Sequence, residues 1–136
     1  MPARSVYEYA VVRVVPRVDR EEFLNVGVVL FCKNERFLAM QWRIDEPRVA
    51  AFAAGLDLDG VRDQLAAMSL VCAGNPEAGE LARLTQAERF RWVTAPRSTI
   101  VQLSPVRLGE CVDAARELAG LMARLVEQAP SGVKQG

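Results

Sequence analysis

The chain contains no histidine among its 136 residues. That removes histidine general-base chemistry, Ser-His triads and most zinc or iron sites built on imidazole. Its three cysteines, Cys32, Cys72 and Cys111, form no CxxC pair, so neither a zinc motif nor a disulfide framework is signalled, and the expectation is that no metal is bound. No charge of one sign prevails: 17 basic residues meet 17 acidic ones. General binders of nucleic acid or of membrane surfaces carry a basic excess, so nucleic acid is an unlikely partner except through a local patch. No apolar run reaches the ~20 residues of a membrane span. The opening MPARSVYEYA lacks the apolar stretch of a signal peptide. The expected setting is the cytoplasm, away from membranes. A phosphate-binding glycine loop is absent too, and nothing in the chain calls for a cofactor.

What is present is ordinary globular material, 51% apolar and 25% charged. A chain of this length is expected to form a single α+β domain over residues 1–129, with a flexible C-terminal tail at 130–136, PSGVKQG. Fifteen of the 17 basic residues are arginine. A GC-rich coding sequence explains that bias, and so does recognition of anions by a rigid guanidinium fork. Only local clustering separates the two.

Residues 6–15, VYEYAVVRVV, are β-branched and aromatic, closed by Pro16, and apolar on both faces apart from Glu8 and Arg13. That pattern predicts a central strand. The polar stretch 19–25 suits one helical turn. Residues 26–32, VGVVLFC, predict a second strand, in which Gly27 signals a bulge or the close approach of another backbone. A short connection at 33–35 and clear alternation over 37–44 predict an antiparallel hairpin. Asp45 and Pro47 open a helix to about residue 54. Asp57 or Asp59 caps the next, where Leu58, Val61, Leu65, Met68 and Cys72 form one apolar stripe ended by Gly74 and Pro76. Thr85 and Glu88 fit a capping box. Residues 89–93 can follow it as a helical turn or form a strand with Phe90 and Trp92 on one face. Residues 98–103 predict a last strand stopped by Pro105, and 110–128 an amphipathic helix. The order is β-β-β-α-α-β-α: an α+β fold with a mostly antiparallel sheet of about four strands and helices on one face.

The stretch 90–102, FRWVTAPRSTIVQ, raises the functional question. Between Arg83 and Arg107 there are five arginines (83, 89, 91, 97 and 107) and one acid, Glu88. Arg97, Ser98 and Thr99 follow a proline-fixed bend, and Gln102 shares a strand face with Ser98. Such groups can converge on a phosphate, a carboxylate or an acidic loop; equally, they can satisfy backbone and stack on Trp92. Arg13, in an apolar strand, needs a partner or water, and Glu22 and Asn25 on the following segment can provide it. The candidate binding residues are therefore Arg13, Glu22, Asn25, Arg89, Arg91, Arg97, Ser98 and Gln102, with no catalytic residue assigned. The acid pairs Glu21–Glu22, Asp45–Glu46 and Asp57/Asp59 sit at predicted helix starts, where caps and dipole explain them. Cys111 falls near a predicted helix N-terminus, but no histidine is available to assist it.

Two blocks, YEYAVVRVVPRVDREEFLNVGVVLFC (7–32) and ERFRWVTAPRSTIVQLSPV (88–106), resemble the signature blocks of a small bacterial family catalogued as a domain of unknown function. The resemblance spans nearly the whole chain and implies no activity. It implies genes beside toxin-like serine/threonine kinases, and so an accessory or partner protein. In that family a histidine often follows the Ser-Pro-Val element; here Arg107 stands there, which puts any histidine-dependent role in doubt. The leading expectation is a non-enzymatic interaction or anion-binding module. An enzyme acting on a phosphorylated or nucleotide substrate, with Glu22 as acid–base, is the alternative. A weak nucleic-acid binder using the 83–107 patch is a third. Phe37, Trp42 and Trp92 leave a homo-oligomer open.

Overall fold

The computed structural model describes residues 3–16, 22–97 and 99–127. The predicted tail at 130–136, residues 19–21 of the expected polar turn, and Ser98 lie outside them. β1 (Ser5–Val14) pairs antiparallel with β2 (Leu24–Cys32), and β2 with β3 (Phe37–Trp42). The opposite side of β1 is taken by two short antiparallel strands, β4 (Val101–Leu103) facing Val12–Val14 and β5 (Arg107–Cys111) facing Ser5–Tyr9. The strand that is apolar on both faces thus lies inside the sheet, as its composition requires: there, and on its neighbour β2, both faces are packed.

Helices α1 (Glu46–Phe52), α2 (Leu58–Ala73), α3 (Gln86–Thr94) and α4 (Ala114–Met122) complete the fold; a 3₁₀ segment spans Pro76–Arg83, and a π-helical turn, Ala123–Glu127, extends α4. The caps read from sequence are in place. Asp45 accepts from Arg48 N, Asp57 from Gly60 N, and Thr85 and Glu88 form a reciprocal capping box. That box starts α3, so residues 89–93 are helix.

Alternation along the strands divides the molecule into two cores. Ala10, Val12, Val14, Val29, Phe31, Leu38 and Met40 meet Val61, Leu65, Met68, Phe90 and Val93 of α2 and α3. On the other face Tyr7, Val28, Leu30 and Cys32 meet Ala114, Leu118, Leu121 and Val126. The sheet is antiparallel and the fold α+β, as expected. The expectation of helices on one face needs a correction, because α4 covers the face opposite α2 and α3. Its apolar stripe is as strong as theirs, and β1 and β2 supply apolar residues to both sides.

The edge strand also differs from its sequence reading. Residues 107–111, RLGEC, carry no alternation, and residues 110–111 fall within the expected helix. They are strand because they pair with Ser5–Tyr9; the helix starts later, where Asp113 accepts from Arg116 N. Between β4 and β5, Pro105 has no N–H to give the ladder. Ser104 bridges the gap: its N–H donates to Val11 O, and its Oγ accepts from Val11 N, both at 2.8 Å. At the other flank of β1 the register slips, Val12 facing Gly27 and Arg13 facing Asn25, so Val26 is an extra residue. A Cβ on Gly27 would lie 2.6 Å from Gln41 O. Both features anticipated from Gly27 are present, a bulge and a close backbone approach.

Candidate functional site

Three of the expected residues lie in one row. Arg13 on β1 is directly opposite Asn25 on β2 and Gln102 on β4. Because Val12, Val14 and Val101 point to the α2–α3 core, this row points to the α4 side. Asn25 Nδ2 donates to Leu125 O at 3.1 Å, tying β2 to the π-helical turn. Gln102 Nε2 donates to Thr99 O at 3.0 Å. The Arg13 guanidinium lies 3.9 Å from the centre of the Phe23 ring. Its Nε is buried with no hydrogen-bond partner among the described residues. Glu22, exposed, immediately precedes Phe23. Arg107, opposite Tyr9 on β5, adds a second positive charge beside this row. Burial, then the repulsion of Arg107, makes the charged form of Arg13 less favourable than usual. Two guanidinium groups that repel each other, one on the central strand and one on the edge strand, are an arrangement that an anion relieves.

The other arginines are elsewhere and are engaged with backbone. Arg89 on α3 is buried; its Nη1 donates to Leu84 O at 2.7 Å and its Nη2 to Cys72 O at 3.5 Å. It therefore fills the role of a C-terminal cap for α2, where orphan carbonyls favour a cation. Gly74 ends that helix in the left-handed region (φ +67°), and a side chain there would meet the Arg89 guanidinium at 3.3 Å. Arg97 Nη2 donates to Trp92 O at 2.8 Å, its Nη1 contacts the Met68 sulfur at 3.5 Å, and the group stacks 5.3 Å from the Trp92 ring centre. Burial alone lowers its pKa. Arg91 is exposed. The arginines of the stretch 83–107 thus do not gather in one hollow: Arg89 and Arg97 hold the α2–α3 layer together, while Arg107 joins Arg13 across the sheet.

A second surface lies along the open edge. Among the described residues no strand pairs with the outer side of β4 or β5. Leu108 is 72% exposed and Val6, Val106 and Val112 are also exposed. Leu108 is opposite Glu8 and Val6 opposite Glu110, so both lie on the sheet face away from α4. Periodicity could not reveal this surface, since it depends on which strand ends the sheet.

A small cleft of about 150 Å³ lies between β2 and α1, lined by Asn25, Arg43, Asp45, Arg48 and Glu127 among others. It combines acids and arginines, but Arg48 Nη1 is engaged by Val126 O at 3.1 Å, and the volume is below the ~300 Å³ at which small-molecule pockets begin.

At the opposite end of the sheet, Cys32, Glu35 and Cys111 come together beside the start of α4. Cys32 faces the α4 core from the end of β2, and Cys111 does so from the end of β5. Glu35 Oε1 accepts from Ala114 N at 2.9 Å. The neighbouring Tyr7 hydroxyl donates to Glu117 Oε2 at 2.5 Å. Nothing in the sequence places Cys32 beside Cys111; only the pairing of β2 and β5 with the same central strand does so.

No curated protein matches the chain, and no solved structure does. A family model described as "Protein of unknown function (DUF3037)" matches residues 9–126. That span runs from the central strand to the π-helical turn and takes in most of both cores and the Arg13 row, and the chain belongs to this family.

Proposed function

We propose that the protein is a non-enzymatic interaction module that takes an extended, acidic segment of a protein partner along its β4–β5 edge. The observation that carries this reading is the combination at that edge: an unpaired strand, the exposed side chain of Leu108, and Arg107 next to Arg13. An open strand offers main-chain hydrogen bonds, which supply affinity, while alternate side chains supply selection. Apolar groups would meet Leu108 and Val6 on one face. A carboxylate or phosphate would meet the two guanidinium groups on the other. The sequence resemblance makes a toxin-like serine/threonine kinase the first partner class to try.

The test is co-expression with a kinase of that class, followed by gel filtration with light scattering. The wild-type chain should co-elute with the kinase. Leu108→Asp and Arg107→Glu should each release it while melting like the wild type. A complex that survives both substitutions, or no complex at all, sinks the reading. Self-association lost in Leu108→Asp would instead identify a second copy as the occupant.

The alternative, an enzyme acting on a phosphorylated or nucleotide substrate with Glu22 as acid–base, requires turnover of such a substrate that Glu22→Gln abolishes.

A further inference from the structure

We propose that Cys32, Cys111 and Glu35 form a binding site for one thiophilic divalent cation of the zinc class. Both sulfurs and a carboxylate oxygen lie within 4.8 Å of one another. Ligands around a tetrahedral zinc, with bonds of about 2.0–2.3 Å, stand roughly 3.5 Å apart, so a closure of about 1 Å completes the set. Small side-chain rotations supply that. The three residues arrive on separate elements whose positions are already set. Cys32 ends β2, Cys111 ends β5, and Glu35 sits in the turn between β2 and β3. Glu35 is held there because Oε1 accepts from Ala114 N, which leaves Oε2 facing Cys111 Sγ at 4.0 Å. Cys32 Sγ lies 3.6 Å from Val6 O.

Two thiolates and one carboxylate select zinc over magnesium or calcium, which prefer oxygen alone. The two sulfurs are buried and the carboxylate is exposed, so an ion enters past Glu35 and keeps an outward position for water. A divalent ion bound there deprotonates both thiols. Binding then releases two protons: the two S–H bonds break, two sulfur–metal bonds form, and no electron moves.

The experiment is a titration of the purified chain, freed of metal by chelation and kept under a phosphine reductant, first with cobalt(II) and then with zinc. The expected result is a thiolate-to-cobalt charge-transfer absorption that saturates at about one equivalent per chain, is displaced by zinc, and is accompanied by release of about two protons. Zinc should also raise the melting temperature. Glu35→Gln keeps an acceptor for Ala114 N but loses the anion. It should weaken cobalt binding by at least about tenfold, the loss expected even for an outer partner. Cys111→Ser should abolish the charge-transfer band, while Cys72→Ala, a buried cysteine outside the cluster, should leave it unchanged. Absence of the band in the wild type, or its persistence in a folded Cys111→Ser protein, overturns the proposal. Should Cys111→Ser not fold, equal cobalt affinity of Glu35→Gln and wild type overturns it instead.

Discussion

Arg13 and Gln102 stand directly opposite each other on the central strand β1 and the edge strand β4, on the α4 side of the sheet. Arg13 spends its guanidinium on the Phe23 ring and near Arg107. Converting Arg13 to Gln removes charge without removing much core. Stability should fall by about 1 kcal/mol, because the half-buried side chain loses its stacking on the Phe23 ring. Affinity for an acidic partner segment should fall and lose part of its salt dependence. Thermal melting and binding at two ionic strengths check the pair of outcomes.

Arg89 behaves oppositely. Removing it as Arg89→Ala leaves the carbonyls of Leu84 and Cys72 without their donor and empties a buried volume. The expected loss is about 2–4 kcal/mol, since hydrogen bonds from charged groups contribute ~1.5–3 kcal/mol each when buried. Arg91→Ala, on the exposed side of the same helix, should stay within about 0.5 kcal/mol. Urea unfolding of the two variants side by side reads the contrast.

Gly27→Ala should be costly. Its Cβ would come 2.6 Å from a backbone oxygen of β3, which no rotamer change relieves. Forced separation of β2 and β3 should destabilise by roughly 1–3 kcal/mol, the range for overpacking. Loss of amide-exchange protection should be concentrated at Trp42 and Arg43.

Alkaline pH should destabilise the fold. Burial pushes the Cys72 thiol up to about 12, and burial with acidic neighbours pushes Cys111 up to about 11, against about 9 for an ordinary thiol. Tyr7 is raised as well, by burial and by Glu117. Each group holds its proton more tightly when folded. Their contribution is therefore complete below pH 9 and is lost as pH rises through 11 to 12. Cys72→Ala should flatten that decline. A flat melting temperature between pH 8 and pH 11 in the wild type would contradict it.

Much of this architecture was legible because short-range chemistry determines it. The caps at Asp45, Asp57 and Thr85, the stop at Gly74 and the central place of β1 depend on neighbours within a few residues or on the two-faced character of one strand; the crowding at Gly27 comes from Gln41 on β3, and the sequence signals it only through a glycine inside a strand. The α4 side was not legible, because apolar stripes show that a helix packs but not on which face. β5 was missed since RLGEC owes its conformation to Ser5–Tyr9. For the candidate site, the sequence picked out Arg13, Asn25 and Gln102, which the pairing aligns. It grouped Arg89 and Arg97 with them because proximity in sequence resembled proximity in space. Their carbonyl partners belong to α2, α3 and the segment between them, and no sequence pattern announces a backbone acceptor.

The break at Ser104 and Pro105 limits how much of the molecule's rim can be copied by another chain. With the side-chain oxygen of Ser104 substituting for a missing ladder contact, the rim is two short rails rather than one long template. An incoming strand can follow β5 for about its five residues before it must bend or leave. Runaway stacking of identical copies, the hazard of a long flat border, is curtailed, while a brief and selective engagement is still permitted.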